Sequence, residues 1–450
     1  MNMVPIILIA FLLILAVCTW HKPVYGIMCY YVIRMVIPSV ARISSFSFNT
    51  IALGILLLFL LPSFKKNYSA KDVLVTGYIK SVIFIVGGLF SLTLLGSIPI
   101  LYQWSALLQM FMTEILPSIL LAIYLTKAKD YKLFCKVICV MAIFTSLYGI
   151  YTYVMVENPI FEMFNNSGDE GYILEDYATG RLGLESIAVG IYNDKIALSL
   201  ISLLLFTFLS EKRFLNNVWL PLTLILLFVT IFLTTQRTAL FCVIISLGIM
   251  FFDKENGYIR KIIKLALILA FIMIVFSNNE VIQNSFYSIL YIFDDNMQQK
   301  LGIGGSSTDM RLLQFANGFD YLGLERLLQG EGYNFPAYYY KYIYQRDFFG
   351  MDPRFFGFES FLLKVLMSSG LIGIIIWFVG LFKVFKSLYP QKAIYDIAFF
   401  CSYILAILMT DTSASFYLFF FLLVLNSKRN LILCESKNFC RSVYTPNCKI

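Results

Sequence analysis

Charged residues are scarce in this 450-residue chain. They make up 14% of it, whereas hydrophobic residues make up 59%, and the mean hydropathy is +0.78. A soluble domain carries roughly a quarter charged residues, so no soluble core could hide this much apolar chain. A helix needs roughly 20 apolar residues to cross a hydrocarbon layer about 30 Å thick, and such runs recur from Val4 onwards. We expect an all-α polytopic integral membrane protein with about 11 to 13 transmembrane helices.

Signals for several other kinds of site are missing. The chain has no phosphate-loop sequence, and the tail cysteines Cys434, Cys440 and Cys448 are too widely spaced for ordinary zinc pairs. No cysteine lies in the two loops expected outside, so no disulfide framework is indicated. We therefore expect no metal and no cofactor. The first apolar run is followed by His21-Lys22-Pro23 rather than by small residues, which indicates a retained helix.

The net charge of +8 does not indicate a nucleic-acid partner. Lys and Arg lie in short loops between apolar runs, as the positive-inside rule predicts. Between these basic clusters the runs pair as out-and-back hairpins: 75–96 with 101–126, 217–235 with 239–252, and 394–410 with 412–426. The pattern predicts one membrane domain over 1–450, external loops over 157–185 (smaller) and 278–357 (large), and a cytoplasmic tail over 427–450.

The first 63 residues allow two topologies. Runs at 4–20, 24–40 and 47–63 could all span the membrane, which would put the N-terminus outside. The segment 24–46 carries Arg34 and Arg42, and if it only dips into the membrane the N-terminus lies inside. The residues alone leave both open.

Charges within or at the edge of a span are costly, so each is a candidate functional residue. Arg237 lies between two apolar runs at their outer end, and Arg311 follows the glycine-rich start of the large loop. A guanidinium binds phosphate oxygens in a bidentate manner, so these two arginines could clamp one diphosphate. A snorkelling side chain in a tight turn is the alternative for Arg237.

Three carboxylates also fall in or beside spans. Glu359 stands at the outer edge of a helix, where it could serve as a base or simply favour the helix dipole. Glu114 and Asp411 lie inside apolar runs, and pairing with a buried Arg or Lys would explain each of them equally well.

The large loop is dense in aromatic residues, with Tyr338, Tyr339 and Tyr340 in succession. Tyrosine rings stack on the apolar faces of sugars while the hydroxyl makes a polar contact, which favours a glycan groove. An aromatic belt that packs the loop onto the bilayer is equally consistent with the composition.

Four blocks, in this order, resemble the O-antigen polymerase and ligase superfamily over residues 181–376. They are Arg181-Leu182-Gly183 with Asn193, Gln236-Arg237-Thr238-Ala239, Ser307 to Arg311 leading to Gly330-Glu331-Gly332, and Glu359-Ser360 leading to Gly370-Leu371-Ile372-Gly373. Each block is weak alone, and their order around a long external loop carries the resemblance. The first 180 residues match only in hydropathy.

The resemblance implies a GT-C-like membrane glycosyltransferase in the cytoplasmic (inner) membrane. Such enzymes act at its outer face on glycans carried by undecaprenyl diphosphate. It implies that Arg237 and Arg311, together with Arg181, engage the diphosphate. It also implies membrane lipid and a chain-length co-polymerase as partners.

Ligases of the superfamily carry a functional histidine just before the span that follows the large loop. This chain has Glu359 there, and its only histidine, His21, is far away in sequence. The departure favours a Wzy-type polymerase of O-antigen, capsule or exopolysaccharide, with Glu359 as the candidate base. Two alternatives stay open: a ligase, and a flippase or transporter, which would often show repeated halves that are not seen here.

Overall fold

The computed structural model describes residues 4–37, 41–43, 46–67, 73–155, 159–164, 219–233, 242, 244–245, 249, 307–344, 354–355, 358, 360–389, 394–409 and 416–428. The predicted fold class is confirmed, because this part of the chain is built almost wholly of helices. Five of the described helical stretches are long and apolar enough to cross a membrane: Val4–His21, Leu74–Thr93, Ile100–Tyr124, Ala128–Tyr151 and Phe361–Leu388. The protein is a multi-pass membrane protein.

The helices within these ranges are, in chain order, α1 (Val4–His21), α2 (Pro23–Val36), α3 (Phe48–Asn67), α4 (Val73–Thr93), α5 (Ile100–Met110), α6 (Leu116–Tyr124), α7 (Ala128–Met155), α8 (Pro159–Phe164), α9 (Trp219–Leu233), α10 (Ser307–Arg326), α11 (Phe335–Tyr338), α12 (Phe361–Leu388), α13 (Ile394–Met409) and α14 (Phe416–Ser427). Two short strands, β1 (Arg42–Ile43) and β2 (Phe46–Ser47), pair antiparallel between α2 and α3. The bounds of α4 to α6 and of α13 to α14 match two predicted hairpins, and most of 239–252 in the third lies outside the described residues.

The first three helices pack together with the start of α7. Lys22, directly after α1, lies 2.5 Å from Asp130 in the first turn of α7. Trp20 near the end of α1 contacts Phe59 of α3, with ring centroids 6.1 Å apart. The basic residues around Asp130 predict that this end of α1 faces the cytoplasm, and the choice between the two N-terminal topologies rests on that prediction. Helix α2, with 14 residues, returns over about 21 Å.

The loop that is predicted to be external has a hydrophobic core of its own, called the external core below. It joins α10, α11 and the start of α12 through Leu322, Phe335, Tyr339, Phe355, Phe358, Leu363, Leu366 and Met367. On the opposite side of α12, Phe361 and Val365 belong to the larger membrane core. The first part of α12 therefore forms the boundary between the two cores.

Helix α12 is broken at Gly370, whose backbone has φ 61° and ψ −164°. In an unbroken helix, the N–H groups of Leu371 and Ile372 would donate to the carbonyls of Met367 and Ser368, four residues earlier. The break leaves all four groups in need of other partners, because buried backbone groups without hydrogen bonds are costly.

The segment 327–332 supplies a partner for each of these four groups. The bonds are Leu371 N–H to Leu327 O (3.0 Å), Ile372 N–H to Leu328 O (3.1 Å), Glu331 N–H to Met367 O (2.9 Å) and Gly332 N–H to Ser368 O (2.9 Å). Glu331 also ties this segment to the turn before α5, since its carbonyl accepts the Ser97 N–H at 2.7 Å. The external segment is thus inserted into the hydrogen-bond ladder of a spanning helix.

Two glycines allow the inserted segment and the break to meet backbone to backbone. A Cβ on Gly330 would lie 2.5 Å from the backbone nitrogen of Ser369, and one on Gly370 would lie 2.4 Å from the carbonyl oxygen of Leu328. The Gly330-Glu331-Gly332 and Gly370-Leu371-Ile372-Gly373 blocks are therefore the two sides of one main-chain contact.

The break also folds the first part of α12 back towards the second. In a straight helix Phe361 and Trp377 would be about 24 Å apart along the axis. Their ring centroids are instead 5.4 Å apart, and both rings contact Phe416 at the start of α14.

We predict that Gly370→Ala destabilises the protein far more than Gly323→Ala. Gly323 has nearly the same backbone (φ 56°, ψ −176°), but open space where a Cβ would lie. Backbone strain of about 1–3 kcal/mol applies to both, and only Gly370→Ala adds overlap with the inserted segment. Thermal unfolding of the detergent-solubilised variants measures the difference, and equal losses would contradict the insertion.

Candidate functional site

A cavity of about 400 Å³ lies between α5 and the π-helical turn that follows it, the residues after Gly332, the folded-back α12 and the start of α14. Its polar lining side chains are Gln109, Thr113, Glu114, Tyr333, Asn334, Tyr340, Lys364, Ser368 and Ser369. Its apolar lining includes Met110, Phe358, Phe361, Val365, Trp377 and Phe416. Apolar walls with a few polar groups, in a volume of roughly 300–1,000 Å³, are typical of small-ligand sites. We take this cavity as the candidate functional site.

One end of the cavity is formed where α5 passes into α6 through a π-helical turn, Phe111–Ile115. Pro117 has no N–H, so it cannot make the α-helical bond to the Thr113 carbonyl. Arg34 of α2 reaches that carbonyl, with Nη1 2.5 Å from the oxygen. A π-turn and a proline thus expose a carbonyl inside the membrane, and an arginine satisfies it.

The same arginine holds Glu114 in place. Arg34 Nη2 lies 3.4 Å from Glu114 Oε1, and the side chains of the two residues are only 9% and 15% exposed. Thr113 Oγ1 lies 2.8 Å from the same carboxylate oxygen. The prediction that Glu114 pairs with a buried basic residue is confirmed, and this carboxylate also lines the cavity.

The outer wall comes from the residues that follow the inserted segment. The Tyr333 N–H donates to Gln103 Oε1 at 2.8 Å, and Gln103 Nε2 donates to the Ile98 carbonyl at 2.8 Å. Asn334 has a left-handed backbone, φ 64°, which a short polar side chain tolerates well. Desolvation and the nearby Glu114 carboxylate raise the pKa of Tyr333, so its phenol stays neutral and can donate a hydrogen bond.

Two further buried polar side chains lie on α10 and at the start of α12, whose contact is called the seam below. Gly318 of α10 faces Leu363 and Met367 of α12 at this contact. Gln314 lies one turn before Gly318, and Ser360 lies three residues before Leu363.

Gln314 and Ser360 are both fully buried. Within the described part of the chain, neither amide atom of Gln314 and no atom of the Ser360 hydroxyl has a hydrogen-bond partner. Ser360 is also the N-cap residue of α12, where serine normally accepts a backbone N–H, yet it makes no such bond. Buried polar groups of this kind are costly unless a ligand satisfies them.

The predicted arginines and Glu359 are placed as follows. Arg311 lies on α10, half-buried, one turn before Gln314. Arg181, Arg237 and Glu359 lie outside the described residues, and their roles stay predictions. Asp411 lies outside them as well.

The three predicted tyrosines have different surroundings. Tyr340 lines the cavity. Tyr339 is 2% exposed, packs in the external core, and its hydroxyl accepts a hydrogen bond from Arg354 Nη2 at 2.8 Å. Tyr338 contacts Tyr102 of α5, with ring centroids 5.3 Å apart. The structure gives Tyr339 a packing role, so its part in binding a glycan, like that of the other two, stays a prediction.

Sequence reasoning did not assign several lining residues to the site. Gln109, Asn334, Ser368 and Ser369 are ordinary polar residues that only the fold brings together. Arg34 had a detectable signal, because an arginine in an apolar run is costly. That signal bore on topology, and it did not identify Glu114, 80 residues away, as the partner.

Comparison with known families bears on the same region. A family model described as O-Antigen ligase matches residues 222–378. No match was found among the curated proteins. The matched range includes the inserted segment, Gly370 and the cavity residues from Tyr333 to Trp377, whereas Arg34, Gln109 and Glu114 precede it. The match supports a relationship to the O-antigen ligase and polymerase superfamily, whose members are glycan-transferring enzymes. It does not distinguish a ligase from a polymerase.

We predict strong coupling between Arg34 and Glu114. Removing one partner of a buried ion pair costs about 3–5 kcal/mol because the other charge stays buried and uncompensated. Arg34→Leu and Glu114→Leu should each lower the unfolding temperature in nanodiscs, and the double variant should lose much less than their sum. Lys22→Leu and Asp130→Leu give the control cycle, where weaker coupling is expected because Lys22 is 31% exposed. Additive losses in the Arg34–Glu114 cycle would contradict the pairing.

We predict that Gln314→Leu stabilises the protein and lowers its activity. Leucine keeps the volume but removes two buried polar atoms, each of which costs about 1–3 kcal/mol when unsatisfied. Thermal unfolding and polymer length in cells are the two readouts. A lowered unfolding temperature would mean that the amide is already satisfied in the free protein, and this explanation would then be wrong.

Proposed function

We propose that this protein is a polysaccharide polymerase. It joins oligosaccharide repeat units carried on undecaprenyl diphosphate at the outer face of the cytoplasmic membrane. One observation carries the proposal: the O-Antigen ligase family match covers the segment that is inserted into α12 and most of the outer wall of the cavity. Glycan transfer on lipid-linked substrates needs such a polar site, open to the outer face and bordered by spanning helices.

Polymerase is favoured over ligase by the position of the only histidine. His21 ends α1, next to Lys22, which pairs with Asp130 among basic residues that are predicted to face the cytoplasm. The cavity adjoins the loop that is predicted to be external. With that topology His21 could not act on a glycan at the outer face, and the position expected for the ligase histidine holds Glu359.

Ligase is the second candidate, and the description of the matched family favours it. Both activities move a glycan from undecaprenyl diphosphate to an acceptor hydroxyl. They differ in the acceptor, which is another lipid-linked repeat unit for a polymerase and the final glycan carrier for a ligase.

The reaction breaks the bond between the reducing-end sugar carbon and the phosphate oxygen of the donor. The acceptor hydroxyl oxygen forms the new glycosidic bond, and its proton passes to a carboxylate, for which Glu359 is our candidate. Negative charge develops on the departing diphosphate, and Arg311, Arg237 and Arg181 would stabilise it. Tyr338 and Tyr340 would contact the glycan, with Tyr339 packed in the core between them, and a co-polymerase would set the glycan's length.

The first test is the surface glycan of a deletion strain, together with its lipid-linked intermediates. For a polymerase we expect single repeat units on the final acceptor and no long ladder. Full-length polymer stranded on undecaprenyl diphosphate would identify a ligase, and repeat units trapped at the inner leaflet would identify a flippase.

We predict that Arg311→Ala and Arg237→Ala each abolish polymer, with the protein still present in the membrane at normal amounts. Arg326→Ala is the matched control, because Arg326 is on the same helix as Arg311 and its guanidinium donates to the Leu95 carbonyl at 3.1 Å. Gel analysis of polymer in a complemented deletion strain is the measurement. Full-length polymer from both variants would rule out the diphosphate clamp.

A further inference from the structure

The cavity presents a chemistry that suits neutral hydroxyl groups. Sugar hydroxyls both donate and accept hydrogen bonds, as do the amides of Gln109 and Asn334 and the hydroxyls of Ser368 and Ser369. The rings of Tyr340 and Trp377 also line it, and aromatic faces pack against the apolar faces of sugars. The volume of about 400 Å³ suits one or two sugar residues.

The charges in the cavity argue against a diphosphate there. Among its lining residues, Glu114 is acidic and Lys364 is basic, and Arg34 is engaged behind the wall by Glu114 and the Thr113 carbonyl. A diphosphate would meet the Glu114 carboxylate, and the like charges would repel each other. The carboxylate can instead accept hydrogen bonds from uncharged hydroxyls.

Glu114 and the predicted diphosphate ligand Arg311 belong to different elements. Glu114 is 14 residues after the start of α5 at Ile100, about 21 Å along the axis. Arg311 lies on α10, which packs against α12 through the external core, and Arg311 is not among the residues that line the cavity.

We propose that this cavity binds a sugar residue of the acceptor, with Glu114 receiving hydrogen bonds from its hydroxyls. Arg34 and Thr113 position Glu114, while Gln109 and the serines at the α12 break select the hydroxyl pattern. The proposal rests on the proposed glycan transfer and adds the site at which the acceptor is recognised.

Cysteine protection in the full-length protein tests the assignment. Ala106 lines the cavity, so Ala106→Cys should react with a water-soluble maleimide at a rate that falls when the cavity is filled. Leu324→Cys is the control, because Leu324 is 89% exposed on α10 and no ligand should protect it. Labelling of the two peptides is quantified by mass spectrometry, so the native cysteines can stay.

The probes are repeat-bearing undecaprenyl diphosphate, extracted from the deletion strain, and undecaprenyl diphosphate without sugar. At about ten times its dissociation constant the repeat-bearing lipid should slow Ala106→Cys labelling roughly tenfold, and the bare lipid should not. Glu114→Gln should remove this protection, and so should Gln109→Leu, which leaves the ion pair intact. Equal protection by the bare lipid would overturn the proposal, because the cavity would then hold the diphosphate.

Absence of protection by either lipid would also overturn it. In that case, a deletion strain that still shows single repeat units on the final acceptor would leave the polymerase function in place. Loss of the polymerase phenotype in the strain, with protection retained in the purified protein, would overturn the function and keep a sugar site.

Discussion

The rest of the outer half of this protein depends on one backbone interaction, the insertion of 327–332 into the break of α12. A break in a spanning helix leaves carbonyls and N–H groups without partners, and the apolar surroundings make each of them costly. Here the segment 327–332 supplies two N–H groups and two carbonyls, which form hydrogen bonds of 2.9–3.1 Å with α12. Because Gly370 then turns the chain, Phe361 meets Trp377 and a space opens beneath the external core. This part of the large loop therefore completes the backbone hydrogen bonding of α12.

The opposite wall of the cavity uses a second interruption, the π-turn before Pro117. Its exposed Thr113 carbonyl and the Glu114 carboxylate both bind Arg34. Both interruptions place polar groups at membrane depth only where protein encloses them, which is the condition under which irregular backbone is tolerated in a bilayer. At the α12 break the free backbone groups bond to the main chain of 327–332, and at the π-turn the Thr113 carbonyl bonds to the Arg34 side chain. The cavity lies between the two interruptions.

Hydropathy alone predicted the membrane helices, and the bounds of α4 to α6 and of α13 to α14 followed from it, because the bilayer fixes the length of an apolar run. The site was only partly predictable. Gly330-Glu331-Gly332 and Gly370-Leu371-Ile372-Gly373 stood out as separate blocks, but their mutual hydrogen bonding connects residues about 40 apart and leaves no periodic trace. Tyr339 was indistinguishable from its neighbours, because a run of tyrosines does not reveal which ring turns into the core. No signal in the sequence singled out Gln314.

An enzyme that joins two lipid-linked glycans must tell a donor from an acceptor that carry the same headgroup. Charge cannot make that distinction, because both substrates bring a diphosphate. A site with an arginine on α10 and a separate, nearly charge-balanced cavity beside α12 can do so, since only the donor must place its diphosphate where negative charge develops. The acceptor then needs only its terminal sugar to enter the cavity. Gln314, one turn after Arg311 on α10, and Ser360 at the start of α12 are both buried, and their side-chain polar atoms have no hydrogen-bond partner among the described residues. In the proposed transfer, hydroxyls of the sugar next to the leaving diphosphate would supply the partners that these atoms lack in the free protein.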